Sequence, residues 1–135
     1  MKTIEPYVKR WYDELDRGVV QGSRCEKCGT VQVPPLPICN ECGCCDVTWF
    51  SIEGKGELYT IDDCQMPMWG PEYGPVLSGL VRLAEDAVIQ VFVVGASEEE
   101  RAELFDRLPV SVTIEIQERD GYRYPAARIV KEQTV

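Results

Sequence analysis

Two short, similar units constrain this chain more than any other feature. Cys25-Glu26-Lys27-Cys28-Gly29 and Cys39-Asn40-Glu41-Cys42-Gly43 are CxxCG segments with ten residues between Cys28 and Cys39. A CxxC turn aims two thiolates at one point, and the glycine that follows supplies the positive φ that closes it. Two such turns make a tetrahedral four-sulfur site, the closed arrangement of structural zinc. Residues 25–50 hold six of the seven cysteines and few large apolar side chains, so the metal would supply the folding free energy there. The expected ligands are Cys25, Cys28, Cys39 and Cys42. Zinc is the expected metal. Iron in the same thiolates, making the chain an electron carrier, is the alternative that spacing leaves open. A disulfide-stapled loop is disfavoured in a reducing compartment.

The other cysteines are weaker candidates. Cys44 would replace Cys42 only by giving up the two-residue spacing from Cys39, so Cys44 and Cys45 read as bystanders or supports of the site. Cys64 is flanked by Asp62 and Asp63, the reverse of what a thiolate nucleophile needs, and reads as a small buried hydrophobe.

Composition removes several functions. The chain has no histidine, which excludes Ser-His-Asp and Cys-His couples and any imidazole base. Its 14 basic and 23 acidic residues leave a net charge of −9. That charge disfavours a phosphate backbone, which is bound by Lys and Arg displacing counterions, and an anionic membrane surface. No apolar run approaches the roughly 18–20 residues that span a bilayer, and the first residues lack a secretory pattern. A cytoplasmic protein is expected, with neither nucleic acid nor membrane as partner.

Three blocks follow: an N-terminal helix and linker at 1–24, a zinc ribbon at 25–50 and a barrel domain at 51–135. In the first, Ile4, Val8, Trp11, Tyr12 and Leu15 recur at helical spacing, and Gly18 is a natural stop. One short helix cannot bury its own apolar face; that face packs on this chain's core or docks on another chain. In the third, 56–63, 76–83 and 88–94 read as strands. Ser97-Glu98-Glu99-Glu100 has the form of a capping box opening a helix whose Ala102, Phe105 and Leu108 share a face. Val110, Val112, Ile114 and Ile116 then alternate with polar residues, as in a half-buried strand. Asp120-Gly121 is a hairpin turn, and Pro125 suits an edge or a bulge in the last strand. Five strands with a helix after the third is the order of an OB-fold barrel. The expected class is mainly β: N-terminal helix, four-cysteine ribbon, then a five-stranded OB barrel with one helix. The segment 64–75, rich in Met, Trp, Tyr and Pro, reads as a flap over one barrel end or as a contact for a partner or ligand.

Several features together resemble a known family: Asp16-Arg17-Gly18, Gly22-Ser23-Arg24, the paired CxxC units with Pro34-Pro35 between them, and Gly54-Lys55-Gly56-Glu57-Leu58-Tyr59-Thr60. They are similar to the acyl-CoA-associated OB-fold proteins with a rubredoxin-like zinc ribbon, including the small-subunit type of benzoylsuccinyl-CoA thiolase. The resemblance spans nearly the whole chain. Members of that family are partners of thiolase-superfamily enzymes or of related acyl-CoA lyases and hydratases. The resemblance therefore implies a non-catalytic accessory subunit of such an enzyme, with a thiolase type acting on CoA esters of aromatic or sterol-derived acids expected first. The catalytic cysteine would then belong to the thiolase-like partner, with acyl-CoA at or near the interface, and the ribbon cysteines would be structural. The residues agree that no acid, base and nucleophile converge here. Lys55, Arg82, Arg123 and Arg128 are the cations of the barrel block that direct CoA contact would use. A nucleic-acid-binding ribbon and OB module is the remaining alternative, against the charge.

Overall fold

The computed structural model describes residues 6–66 and 74–131. Its first element, α1 (Pro6–Asp16), starts on a proline whose missing N–H costs nothing in a first turn. It ends where Gly18, at φ +84°, donates its N–H to the Leu15 carbonyl. Ile4 lies outside the described residues. Leu15 is buried and Trp11 packs against the core, while Tyr7, Val8 and Tyr12 stay exposed. The apolar face of this helix is therefore divided between its own core and the surface.

A three-stranded antiparallel sheet follows: β1 (Gln21–Cys25) is central, between β2 (Val31–Gln32) and β3 (Val47–Ser51). This small sheet begins at Gln21, so the strand leading into the first cysteine turn pairs with the strands that follow it. The helix is clasped to it: the Arg10 guanidinium lies 4.3 Å from the Trp49 ring centre, and Tyr7 packs on the same ring.

The rest is a closed five-stranded barrel. Its strands are β4 (Lys55–Cys64), β5 (Val76–Leu83), β6 (Val88–Val94), β7 (Val110–Arg119) and β8 (Tyr122–Ile129), in the order β4-β5-β6-β8-β7. All pairings are antiparallel except β6 with β8. This is the OB-type barrel that the element order predicts. The first half of β4 pairs with both β5 and β7, with a register shift between Leu58 and Thr60. Such an irregularity bends and twists a strand enough to close a small barrel. Gly56 makes the tight pairing possible, because a Cβ there would lie 2.5 Å from the Arg82 carbonyl oxygen.

Two expectations need correction. Pro125 does not mark an edge strand, since β8 lies inside the closed barrel. It pairs with Ile116 of β7, and the ladder to β6 begins only at Ala126; the proline thus sits just before β8 gains its second neighbour. The second helix, α2 (Glu98–Arg107), is capped by Ser97, whose side chain accepts from the Glu100 N–H, but it faces differently from the expected orientation. Leu104 is 1% exposed and Phe105 59%. The inward face is the row Arg101, Leu104 and Leu108, with Arg101 ion-paired to Asp63 of β4. No helix among the described residues is long and apolar enough to cross a membrane.

Candidate metal centre

The two cysteine turns are built alike. The Gly29 N–H donates to the Cys25 carbonyl and the Gly43 N–H to the Cys39 carbonyl, both at 2.9 Å. The Cys25 N–H donates to Thr30 and the Cys39 N–H to Cys44, again at 2.9 Å. Both glycines carry the positive φ expected of them, +77° and +75°. Each turn thus folds back on its first cysteine and presents its two sulfurs to the facing turn.

The four Sγ atoms of Cys25, Cys28, Cys39 and Cys42 lie within 4.8 Å of one another. Across the turns, Cys25 to Cys42 and Cys28 to Cys39 are each 3.5 Å. A tetrahedron with metal–sulfur bonds of about 2.3 Å has edges of about 3.8 Å, so these four sulfurs fit a single metal ion. None of the seven cysteines is in a disulfide. Cys25 and Cys39 are buried and Cys28 and Cys42 exposed, so the group is anchored on one side and open to solvent on the other.

The thiols are electrostatically unequal. Hydrogen bonds from the Thr30 side chain and backbone bring Cys28 down to about 6. At Cys42 a backbone bond from Cys44 pulls the other way, but burial and three neighbouring sulfurs push the thiol up to about 12. Four sulfurs this close cannot all ionise without a cation among them, which is the condition a metal relieves.

Polar residues with no structural role assigned from the sequence hold the frame. The Gln32 side chain donates to the Ile38 carbonyl and accepts from the Asn40 N–H, which ties the second turn to β2. Ser23, buried on β1, accepts from the Leu36 N–H. Gln32 left no trace in the sequence beyond its place in a short strand, and Ser23 entered only as part of the Gly22-Ser23-Arg24 segment. Cys44 lies outside the four-sulfur group; its carbonyl completes the second turn and its sulfur accepts from the Asp46 N–H. Cys45 is exposed. Cys64 is half-buried rather than buried, and donates to the Met66 carbonyl. Of segment 64–75, residues 67–73 lie outside the described residues.

The four expected cations are each engaged within the chain. Lys55 pairs with Glu53 and Arg128 with Glu115; Arg82 lies over the Tyr59 ring. Arg123 reaches Glu118 and the Asp16 carbonyl.

Residues 13–43 match the ChsH2 rubredoxin-like zinc ribbon domain. Among solved structures, an Ltp2-ChsH2(DUF35) aldolase chain superposes with a TM-score of 0.73 at 22% identity, covering 96% of this chain and 98% of that one. A DUF35-family protein of unknown function from Sulfolobus solfataricus superposes at 0.61 and 16% identity, covering 93% and 86%. These two likenesses carry the fold. A DUF35 domain-containing scaffold protein of Pyrococcus furiosus is 31% identical over 116 residues, which cover 83% of this chain and 85% of that protein. With a ribbon, an OB-type barrel and that identity over most of both chains, this protein belongs to the DUF35 family.

Proposed function

We propose that this chain is a non-catalytic accessory subunit that docks on a larger CoA-ester enzyme and supports its assembly. In this reading the ribbon, 25–50, is the metal-held unit and the barrel, 51–135, is the body. Cys25, Cys28, Cys39 and Cys42 hold zinc. A zinc ion closed by four thiolates has no open position, so it supplies folding free energy rather than catalysis.

The observation that carries the docking role is the outward side of α1. Trp11 and Leu15 fix the helix to its own core, yet Tyr7, Val8 and Tyr12 remain exposed, and Tyr122, 69% exposed, stands edge-on to Tyr12. Aromatic residues held rigidly at a surface are the usual anchors of protein interfaces. No acid, base and nucleophile converge among the described residues, which supports a subunit that leaves the chemistry to its partner. The relatives' names, a scaffold protein and an aldolase assembly, agree with a partnered role. Our finer proposal is a thiolase-superfamily partner in the cytoplasm. That partner would supply the cations for the CoA phosphates, since Lys55, Arg82, Arg123 and Arg128 are already engaged.

The test is to tag the chain in its native host and identify what co-purifies in stoichiometric amount. A thiolase-type enzyme, lost when Tyr12→Glu is introduced, is the expected result. A flavoprotein together with bound iron would instead support the electron-carrier reading. Recovery of the chain alone would sink the accessory role.

A further inference from the structure

A cavity of about 480 Å³ lies against the outer wall of the barrel, where α1 and the ribbon meet it. Strand register sets its floor. Asp62 and Cys64 are two apart on β4; Cys64 pairs with Val76, Asp62 with Ser78, and Ser78 with Phe92 of β6. Alternation sends these side chains away from Ile61 and Leu77, which fill the core. Trp11 of α1 and Pro34 of the ribbon also line the cavity. Tyr124 of β8 stands edge-on to Phe92, with ring centres 5.8 Å apart.

In OB folds this outer face, around the second and third strands, takes oligonucleotides and oligosaccharides. Here its chemistry is wrong for a phosphate chain. Among the described residues lining the cavity none is Lys or Arg, and the charged one is Asp62. The nearby cations Arg101 and Arg119 line a separate, smaller cavity of about 250 Å³ beyond the Phe92–Tyr124 pair. Three aromatic rings and a carboxylate around an apolar space all favour the same kind of guest. Ring faces attract cations, and the Asp62 carboxylate, although exposed, attracts a cation and repels an anion of equal size.

The geometry points to a binding site for a small organic ammonium compound. Its charged end lies toward Asp62 and its apolar body against Trp11, Phe92 and Tyr124. The volume falls within the range of small-molecule sites. This inference is independent of the accessory-subunit reading, because it needs no partner.

The probe pair is phenethylammonium and phenylacetate, which share a ring and differ in the sign of their charge. Each is titrated into the metal-loaded full chain at neutral pH. Backbone NMR shifts at Ser78, Gln90 and Phe92 report binding, and mass spectrometry follows iodoacetamide alkylation of Cys64, whose thiol is in the cavity wall. Phenethylammonium should bind in the low-millimolar range, about what a fragment of roughly ten heavy atoms can supply. It should slow Cys64 alkylation and bind about tenfold more tightly than phenylacetate. Asp62→Asn, at an exposed position, should keep the native spectrum and erase the preference. Ser78→Phe should fill the cavity and abolish binding of both. Failure of phenethylammonium to bind, equal affinity for the two probes, or a preference that survives Asp62→Asn would each overturn the assignment.

Discussion

The ribbon and the barrel are held together by different physics, although they share one chain and Val33 of the ribbon enters the barrel's apolar cluster. In the barrel, Leu58, Val81, Val91, Val112 and Ile129 sit in one apolar cluster that also receives Leu104 from α2. Burial on that scale is enough to order a small domain without help. The ribbon contributes Val33 to that cluster, and beyond it buries chiefly Ser23, Cys25 and Cys39. Its order comes from paired backbone turns around four sulfurs. One region is specified by area removed from water and the other by coordination geometry, so they should fail under different insults.

Metal removal is the largest separating stroke. Structural zinc contributes about 10–16 kcal/mol in zinc-finger peptides at neutral pH, far more than the ribbon's few buried side chains. Chelation, or Cys39→Ser at a buried ligand position, should collapse the NMR dispersion of residues 21–51 while β4–β8 keep theirs. If the barrel collapses equally, the two regions are one cooperative unit and the contrast fails. Acidification should act in the same direction. A metal competes with protons for thiols, so Cys42, pushed up to about 12, must release its proton on loading, whereas Cys28, at about 6, is already ionised at neutral pH. Metal affinity should therefore fall steadily as pH drops from 8 to 6 (measured with a chromophoric competitor), and steepest loss below 6 would show Cys28 itself being protonated.

The reciprocal stroke is Leu58→Ala. Leu58 is fully buried at the centre of the cluster, and such truncations cost about 2–5 kcal/mol. Urea unfolding followed at barrel residues should shift to lower midpoint, while metal affinity at the ribbon stays within about twofold. A large drop in metal affinity would mean that the barrel templates the ribbon.

The two regions also differed in how much of them could be read from sequence. The strands at 76–83 and 88–94 and the CxxCG turns were legible, because a run of β-branched residues and a fixed cysteine spacing each admit few conformations. The order of elements pointed to the OB-type barrel but left other five-stranded barrels open. What was hidden depended on the third dimension. Spacing placed Ala102, Phe105 and Leu108 on one face of α2. The helix instead faces inward along Arg101, Leu104 and Leu108, with Leu104 in the core and Arg101 paired to Asp63 of β4. Pro125 read as an edge or a bulge because proline has no N–H to give a ladder; it fits inside the barrel because the ladder joining β8 to β6 starts one residue later. In the ribbon, Gln32 and Ser23 satisfy backbone groups of a loop, a role that no pattern of polarity announces.

The α2 cap offers a smaller, local test within the barrel. Ser97 accepts from the Glu100 N–H at 3.1 Å, and losing such a cap costs about 1 kcal/mol. Ser97→Ala should lower the urea midpoint by less than Leu58→Ala and raise amide exchange in 98–101 first. A shift as large as that of Leu58→Ala would mean that α2 anchors the barrel rather than covering it.

The finest effect expected is the pH dependence of the β7–β8 pair. Glu115 accepts from Arg128 through both carboxylate oxygens, at 3.0 and 2.9 Å, and that hydrogen bonding holds its carboxyl below the ordinary range. A carboxyl depressed in the folded state contributes stability above its unfolded value, and that contribution is lost as pH falls through the lower folded value. Glu115→Gln should therefore weaken the barrel slightly at neutral pH and leave it nearly unchanged well below pH 4. Solvent screens the pair, since Arg128 is half exposed, so the neutral-pH loss should be a fraction of that for Ser97→Ala. Metal affinity should not move, because neither residue belongs to the ribbon. If Glu115→Gln instead weakened metal binding at pH 7, the charge network of the barrel would extend to the cysteines and the division between the regions would be drawn in the wrong place.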